Sequence, residues 1–240
     1  MTNAAVVPTT YPACFPVPHR MPNGNPLSVR NPVAAPLAQY RRYGGAIPPS
    51  EDARSGIVEH GEHRLTEECI VKSVLMVIAP DQFRDEEYAK PKEILEGRGA
   101  HVVTASVAPG PCRGKLGMMA RADIALVEAE ASDYEAILFV GGAGAHIYFD
   151  DLDAHRLART MHENGKVIAA ICIAPSILAH AGLLEGVRAT AFSSEEDDIR
   201  AHGAIWTGAP VELDGAIITG NGPAAARDFG MAIADVLGLP

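Results

Sequence analysis

The pattern of apolar and polar positions changes character near residue 70. From there on, short, nearly unbroken apolar runs alternate with amphipathic stretches. Residues 70–79 (containing VLMVIA), 136–140 and Val167–Ile171 read as strands buried on both faces. His101–Ser106 is a further strand and residues 123–127 a short one. Residues 188–191, 204–206, 211–213 and 216–219 add short strands late in the chain. Apolar residues at helical spacing predict helices over 84–98, over 153–164 with Asp153 as cap, after Cys172, and over 223–237. Residues 81–83 and 109–117 read as loops. This alternation predicts an α/β fold, flavodoxin-like, with a mostly parallel sheet sandwiched by helices. Ligands in such sheets bind beyond the carboxyl ends of the strands.

The chain is organised around residues 166–186, KVIAAICIAPSILAHAGLLEG. A buried strand ends at Ile171, Cys172 follows at once, and a helix begins near Pro175, which has no N–H to lose at a first helical position. Ala170 and Ala174 flank the cysteine at the small-residue positions of a nucleophile elbow. Such a turn exposes the sulfur at a helix N-terminus, where dipole and free N–H groups favour thiolate over thiol. A free cysteine is otherwise most often a small buried hydrophobe.

Composition narrows the possibilities. With 240 residues and 48% hydrophobic content, the chain suits one α/β domain with an extension. A net charge of −10 argues against a broad basic face for nucleic acid. No apolar run is long enough to span a membrane. Cys14, Cys69, Cys112 and Cys172 lack metal-ligand spacing and are too sparse for a disulfide framework, so a reducing cytoplasm is the expected compartment. The first fifty residues hold ten of the eighteen prolines and no acidic residue. We therefore divide the chain into a proline-rich arm and connection, 1–69, and an α/β domain, 70–240.

Taken together, several segments resemble the ThiJ/PfpI family of the class I glutamine-amidotransferase-like superfamily. The strand end A-I-C, its small-residue helix and Ala181–Gly186 (AGLLEG) match the family's elbow. Asp81–Pro91 (DQFRDEEYAKP) matches the segment whose glutamate, four residues before a proline, faces the cysteine. Here that residue is Glu87, before Pro91. Phe139–Asp151 (FVGGAGAHIYFDD) matches the glycine pair after a strand, and Thr219–Pro223 (TGNGP) a turn at the pocket edge.

The resemblance implies Cys172 as nucleophile and Glu87 as a carboxyl of raised pKa that donates to the sulfur and shuttles a proton. Gly141, Gly142 and Ile173 would bind substrate, with the Gly142 and Ile173 N–H groups as an oxyanion hole. Many relatives place His directly after the cysteine, where this chain has Ile173. Another branch has a His where this chain aligns Phe192. Peptidase activity is accordingly not expected, and His146 becomes the candidate histidine. His155, His162, His180 and His202 are expected to be solvated, and Asp150 and Asp151 to cap or solvate. The implied function is a cofactor-independent cysteine enzyme acting on an electrophilic carbon of a small molecule, glyoxalase- or deglycase-like or a related hydratase or lyase. The alternative is a redox sensor or chaperone that uses an oxidisable Cys172 without turnover. A small carbonyl compound is the expected partner, with no metal, nucleic acid or membrane. A homodimer or higher homo-oligomer is expected from the family.

Overall fold

A computed structural model describes residues 71–240. The proline-rich arm, Cys14 and Cys69 lie outside the described residues.

In chain order the elements are β1 (Ser73–Val77), β2 (Asp81–Phe83), α1 (Asp85–Gly97), β3 (His101–Ser106), β4 (Gly110–Gly114), β5 (Met119–Ala122), β6 (Ile124–Ala125), β7 (Ala136–Phe139), α2 (Leu152–Glu163), β8 (Val167–Ile171), α3 (Pro175–His180), β9 (Arg188–Ala189), α4 (Glu196–Ala201), β10 (Ile205–Trp206), β11 (Val211–Asp214), β12 (Ile217–Gly220) and α5 (Ala226–Val236). Among the described residues, seven strands form the central sheet in the order β11-β12-β8-β7-β1-β3-β6. All neighbours run parallel except the edge strand β11, which pairs antiparallel with β12.

The apolar runs are continuous because each face of the sheet has its own helical cover. Leu75, Val77, Ile137, Phe139 and Ile168 face a core built with Leu157 and Met161 of α2 and Ile177 and Leu178 of α3. The alternate positions Val74, Met76, Leu138, Ala169 and Ile171 face Leu95 of α1 and Phe229 and Ile233 of α5. The two helices on that face come very close: a Cβ on Gly230 would lie 2.8 Å from Pro91 Cα.

Several boundaries differ from the sequence expectation. Residues 81–83 and part of 109–117 are strands, not loops: β2, β4 and β5 make a separate three-stranded sheet. Its turn is held from a distance, because Asp85 accepts from the N–H groups of Leu116 and Met118, both at 2.8 Å. Periodicity could not show this, since the organising group lies some thirty residues away. Helix α2 begins at Leu152, and Asp151, not Asp153, caps it by accepting from Ala154 N at 2.8 Å. The helix after the cysteine is one short segment of six residues. Helix α4, absent from the sequence reading, forms from the acidic stretch 196–201.

The strand order changes direction at β1, with β3 on one side and β7 on the other. At such a switch point the loops leaving the strands diverge and open a crevice. The segments after β1, β7 and β8 carry Glu87, Gly141–Gly142 and Cys172.

Candidate active site

Cys172 sits between the last residue of β8 and the approach to α3 with φ 65°, a left-handed backbone that a side chain rarely adopts. Hydrogen bonds on both sides hold it there. Its N–H donates to Gly220 O at 2.8 Å, and its carbonyl accepts from Phe192 N at 2.7 Å. Ala174 is fully buried behind the turn, and Pro175 occupies the start of α3.

Glu87 reaches the sulfur from α1. Its neighbours in the acidic run have other duties: Asp85 holds the β4–β5 turn, and Glu86 pairs with Arg84 at 2.9 Å. Glu87 is fully buried, and neither carboxyl oxygen has a hydrogen-bond partner among the described residues. The position of Pro91 has a backbone consequence too. A proline in a helix lacks the N–H that would bond the carbonyl four residues earlier, here that of Glu87.

Gly141 is wedged between the two groups. A Cβ there would lie 2.6 Å from both Cys172 Cβ and Glu87 Oε2, so only glycine lets the acid and the thiol meet. Gly142 has φ 94°, and a Cβ on it would run into Gln82 O and Arg84 N. The N–H groups of Gly142 and Ile173 lie within reach of the sulfur. Sequence-chosen Cys172, Glu87, Gly141, Gly142 and Ile173 are thus brought together.

The electrostatics differ from the elbow argument in one respect. Burial pushes the Cys172 thiol up to about 12, and the neighbouring Glu87 charge adds to that. The Gly142 and Ile173 N–H groups oppose the rise without overcoming it. Helix α3, at six residues, is too short for a strong dipole, and the sulfur is nearly enclosed. Burial also raises Glu87, to about 7, against the pull of hydrogen bonding from Cys172 and the Arg84 charge. The raised carboxyl agrees with expectation.

A cavity of about 240 Å³ opens on Cys172, lined also by Arg84, Lys115, Gly142, Ile173, His146, Phe192, Glu195 and Pro223. His146 is exposed, and its ring packs at 4.6 Å from that of Phe149. The sequence reading missed Lys115, Arg84 and Glu195. Glu195 is buried and accepts from Ser176 at 3.0 Å and Ser194 at 2.6 Å. Ser194 is its neighbour in sequence, but Ser176 comes from α3, and that distant pairing carries no local sequence signature. His155 corrects another expectation. It is buried, not solvated, with Nε2 2.7 Å from Phe149 O. His180 is half-buried between two carboxylates. No helix among the described residues is long and apolar enough to cross a membrane.

A mostly parallel sheet with a cysteine elbow at the carboxyl end of its strand β8 marks an α/β protein of the class I glutamine-amidotransferase-like superfamily. The chain belongs to the DJ-1/PfpI family, whose description matches residues 72–236. It is 37% identical over 163 residues to the protein MJ0967 of Methanocaldococcus jannaschii, covering 67% of this chain and 80% of that one. It is 31% identical over 149 residues to Deglycase TK1284 of Thermococcus kodakarensis, covering 62% and 90%. Among solved structures, a ThiJ/PfpI domain protein from Brachyspira murdochii superposes with a TM-score of 0.69 at 34% identity. That match covers 70% of this chain and 97% of that chain.

Proposed function

We propose that this protein is a cysteine-dependent enzyme acting without a cofactor on the electrophilic carbonyl carbon of a small molecule, with 2-oxoaldehydes or their adducts on amines as substrates. The observation that carries the reading is the arrangement at Cys172: a strained elbow whose sulfur faces Glu87 and two backbone N–H groups and opens on a small cavity. A cavity of about 240 Å³ suits a small metabolite better than a polypeptide chain. The deglycase name of the Thermococcus relative agrees with this class.

A base with a pKa near 7 is well matched to neutral pH. Glu87 takes the Cys172 proton as the sulfur bonds to the aldehyde carbon. The C=O electron pair moves to oxygen, where the Gly142 and Ile173 N–H groups receive it. The proton then passes from Glu87 to that oxygen, giving a hemithioacetal. With a 2-oxoaldehyde, Glu87 next takes the proton from the former aldehyde carbon as the neighbouring carbonyl oxygen is protonated, giving an enediol. A proton then returns from Glu87 to the second carbon while the hydroxyl on the first carbon gives up its own, re-forming a C=O there. The first carbon is oxidised to a thioester and the second is reduced to an alcohol. Water cleaves the thioester, restoring the thiol and releasing a 2-hydroxy acid.

The test is incubation with methylglyoxal in the absence of glutathione, measuring the 2-hydroxy acid formed. Turnover by the parent and its loss in Cys172→Ala are expected. No turnover in the parent, or equal turnover in Cys172→Ala, overturns the reading. One observation favours a redox alternative: the unpartnered Glu87 oxygens, once protonated, could bond an oxygen on an oxidised sulfur. Sulfinate formation at Cys172 on peroxide treatment, without methylglyoxal turnover, would select it.

A further inference from the structure

Beyond the Cys172 cavity, helices α3 and α4 bring three metal-ligating side chains together. His180 ends α3, Asp198 lies on α4, and His202 caps its C-terminus. Asp198 and His202 are four residues apart and share a helix face. The ligand atoms of the three lie within 4.8 Å of one another. His180 Nε2 is 3.1 Å from Asp198 Oδ1, and His202 Nδ1 is 3.5 Å from the same oxygen. The His180 and His202 rings stack at 4.5 Å.

Two further features point to a cation at this place. Asp150 Oδ1 lies 2.8 Å from His180 Nδ1 and takes its N–H, which leaves Nε2 of a neutral ring as a lone pair facing a carboxylate oxygen. Two acceptors at that distance need a cation, a proton or a metal, to join them. In addition, Asp198 Oδ2 is a buried oxygen with no hydrogen-bond partner among the described residues.

The spacing suits a metal as well as a proton. Tetrahedral ligands at about 2.0–2.1 Å from zinc stand about 3.3 Å apart, and the observed separations of 3.1 and 3.5 Å bracket that value. His202 Nδ1 is also 2.9 Å from the Asp198 carbonyl. To ligate, it moves its proton to Nε2, which water can satisfy because the residue is exposed. Two imidazoles and a carboxylate suit zinc and its neighbours better than magnesium or calcium. A dication also balances Asp150 and Asp198 fully, where a protonated His180 balances only one of them.

We propose that His180 Nε2, the Asp198 carboxylate and His202 Nδ1 form a binding site for a zinc-class divalent cation. Asp150 is the outer carboxylate that fixes the His180 tautomer, and water completes the fourth position. The ion joins α3, the helix that follows Cys172, to α4. That link reinforces an existing one, because Glu195, just before α4, accepts from Ser176 of α3.

The experiment uses the full chain, stripped with EDTA and titrated with Zn²⁺ against a chromophoric chelator, then with Co²⁺ to read the ligand set by absorption. One equivalent per chain is expected to depend on these residues. Asp150→Ala should weaken it by about 10–100-fold, as outer-shell losses do, and His202→Ala, which removes a ligand, should weaken it more. Cys172→Ser should bind as the parent does, and the Co²⁺ spectrum should lack a sulfur charge-transfer band. His202 is exposed, so its truncation should leave the circular dichroism unchanged. Absence of stoichiometric Zn²⁺ binding by the parent overturns the proposal. So does parent-like affinity in His202→Ala, or a sulfur band that disappears with a cysteine. The readout is metal binding, so its failure leaves the Cys172 chemistry untouched.

Discussion

On β7 and β8, Ile137, Leu138, Ile168 and Ala169 are fully buried, alternate between two apolar cores and sit in regular parallel register. A few residues further along the same strands, Gly142 and Cys172 have positive φ, and the carboxyl facing Cys172 is buried without a hydrogen-bond partner among the described residues. The first region satisfies every local preference. The second violates several of them, at positions where the loops leave the sheet. Strain of this kind persists only when its surroundings over-determine it. Here the determinants are the strand hydrogen bonds below and the backbone bonds from Gly220 and Phe192 above. The contrast teaches that the sheet's surplus stability supports the site, and that damage to each region should leave a different trace.

The largest effect should come from Gly142→Ala, set against Leu75→Ala in the sheet. The glycine variant forces a side chain into positive φ, a strain of about 1–3 kcal/mol, and drives its Cβ into the backbone at Gln82 and Arg84. Leu75→Ala removes a fully buried side chain and should cost about 2–5 kcal/mol. Denaturant titration should show comparable losses. Alkylation of Cys172 in the still-folded proteins should change rate only in Gly142→Ala. Equal changes in both would mean that the site is not locally strained.

Glu87→Gln should act on stability and chemistry in opposite senses. Below pH 4.5 the acid is protonated in folded and unfolded chains alike and contributes nothing. Between 4.5 and about 7 the unfolded chain releases its proton while the folded chain keeps it, so stability falls. Above that range the full deficit remains, at most about 3 kcal/mol. Gln abolishes this titration, so the variant should melt higher than the parent at pH 8 and lose that advantage at pH 4. Its buried amide lacks partners and keeps the gain below the limit. Loss of the base should lower turnover by about 100- to 10,000-fold, and removing the negative charge should lower the Cys172 pKa. In the parent, turnover should climb as pH rises through about 7, where Glu87 ionises. A variant that matches the parent in both melting profile and turnover would make Glu87 a bystander.

The smallest effect should come from His146→Ala. The residue is exposed, so stability should change by no more than about 0.5 kcal/mol. Turnover should stay well above the roughly hundredfold loss that marks a proton-transfer residue. A loss of that size would transfer the role of base from Glu87 to His146.

The sequence by itself determined the sheet and the elbow. Short unbroken apolar runs bounded by turn signals read as strands covered on both faces, and a strand, Cys172, then Pro175 reads as a sharp turn into a helix. Because these signals are local, they survive in one dimension. The resemblance added Glu87, which composition would have left among three exposed acids. Tertiary structure alone decided the rest. It separated Asp85, Glu86 and Glu87 into a turn anchor, a surface ion pair and a buried acid, because each meets a different distant segment. It raised the Cys172 thiol that the helix argument had lowered, because desolvation depends on everything packed around the sulfur. It also gathered His180, Asp198 and Asp150 from three segments into one cluster. Burial and long-range proximity are properties of the folded chain, and no window of sequence contains them.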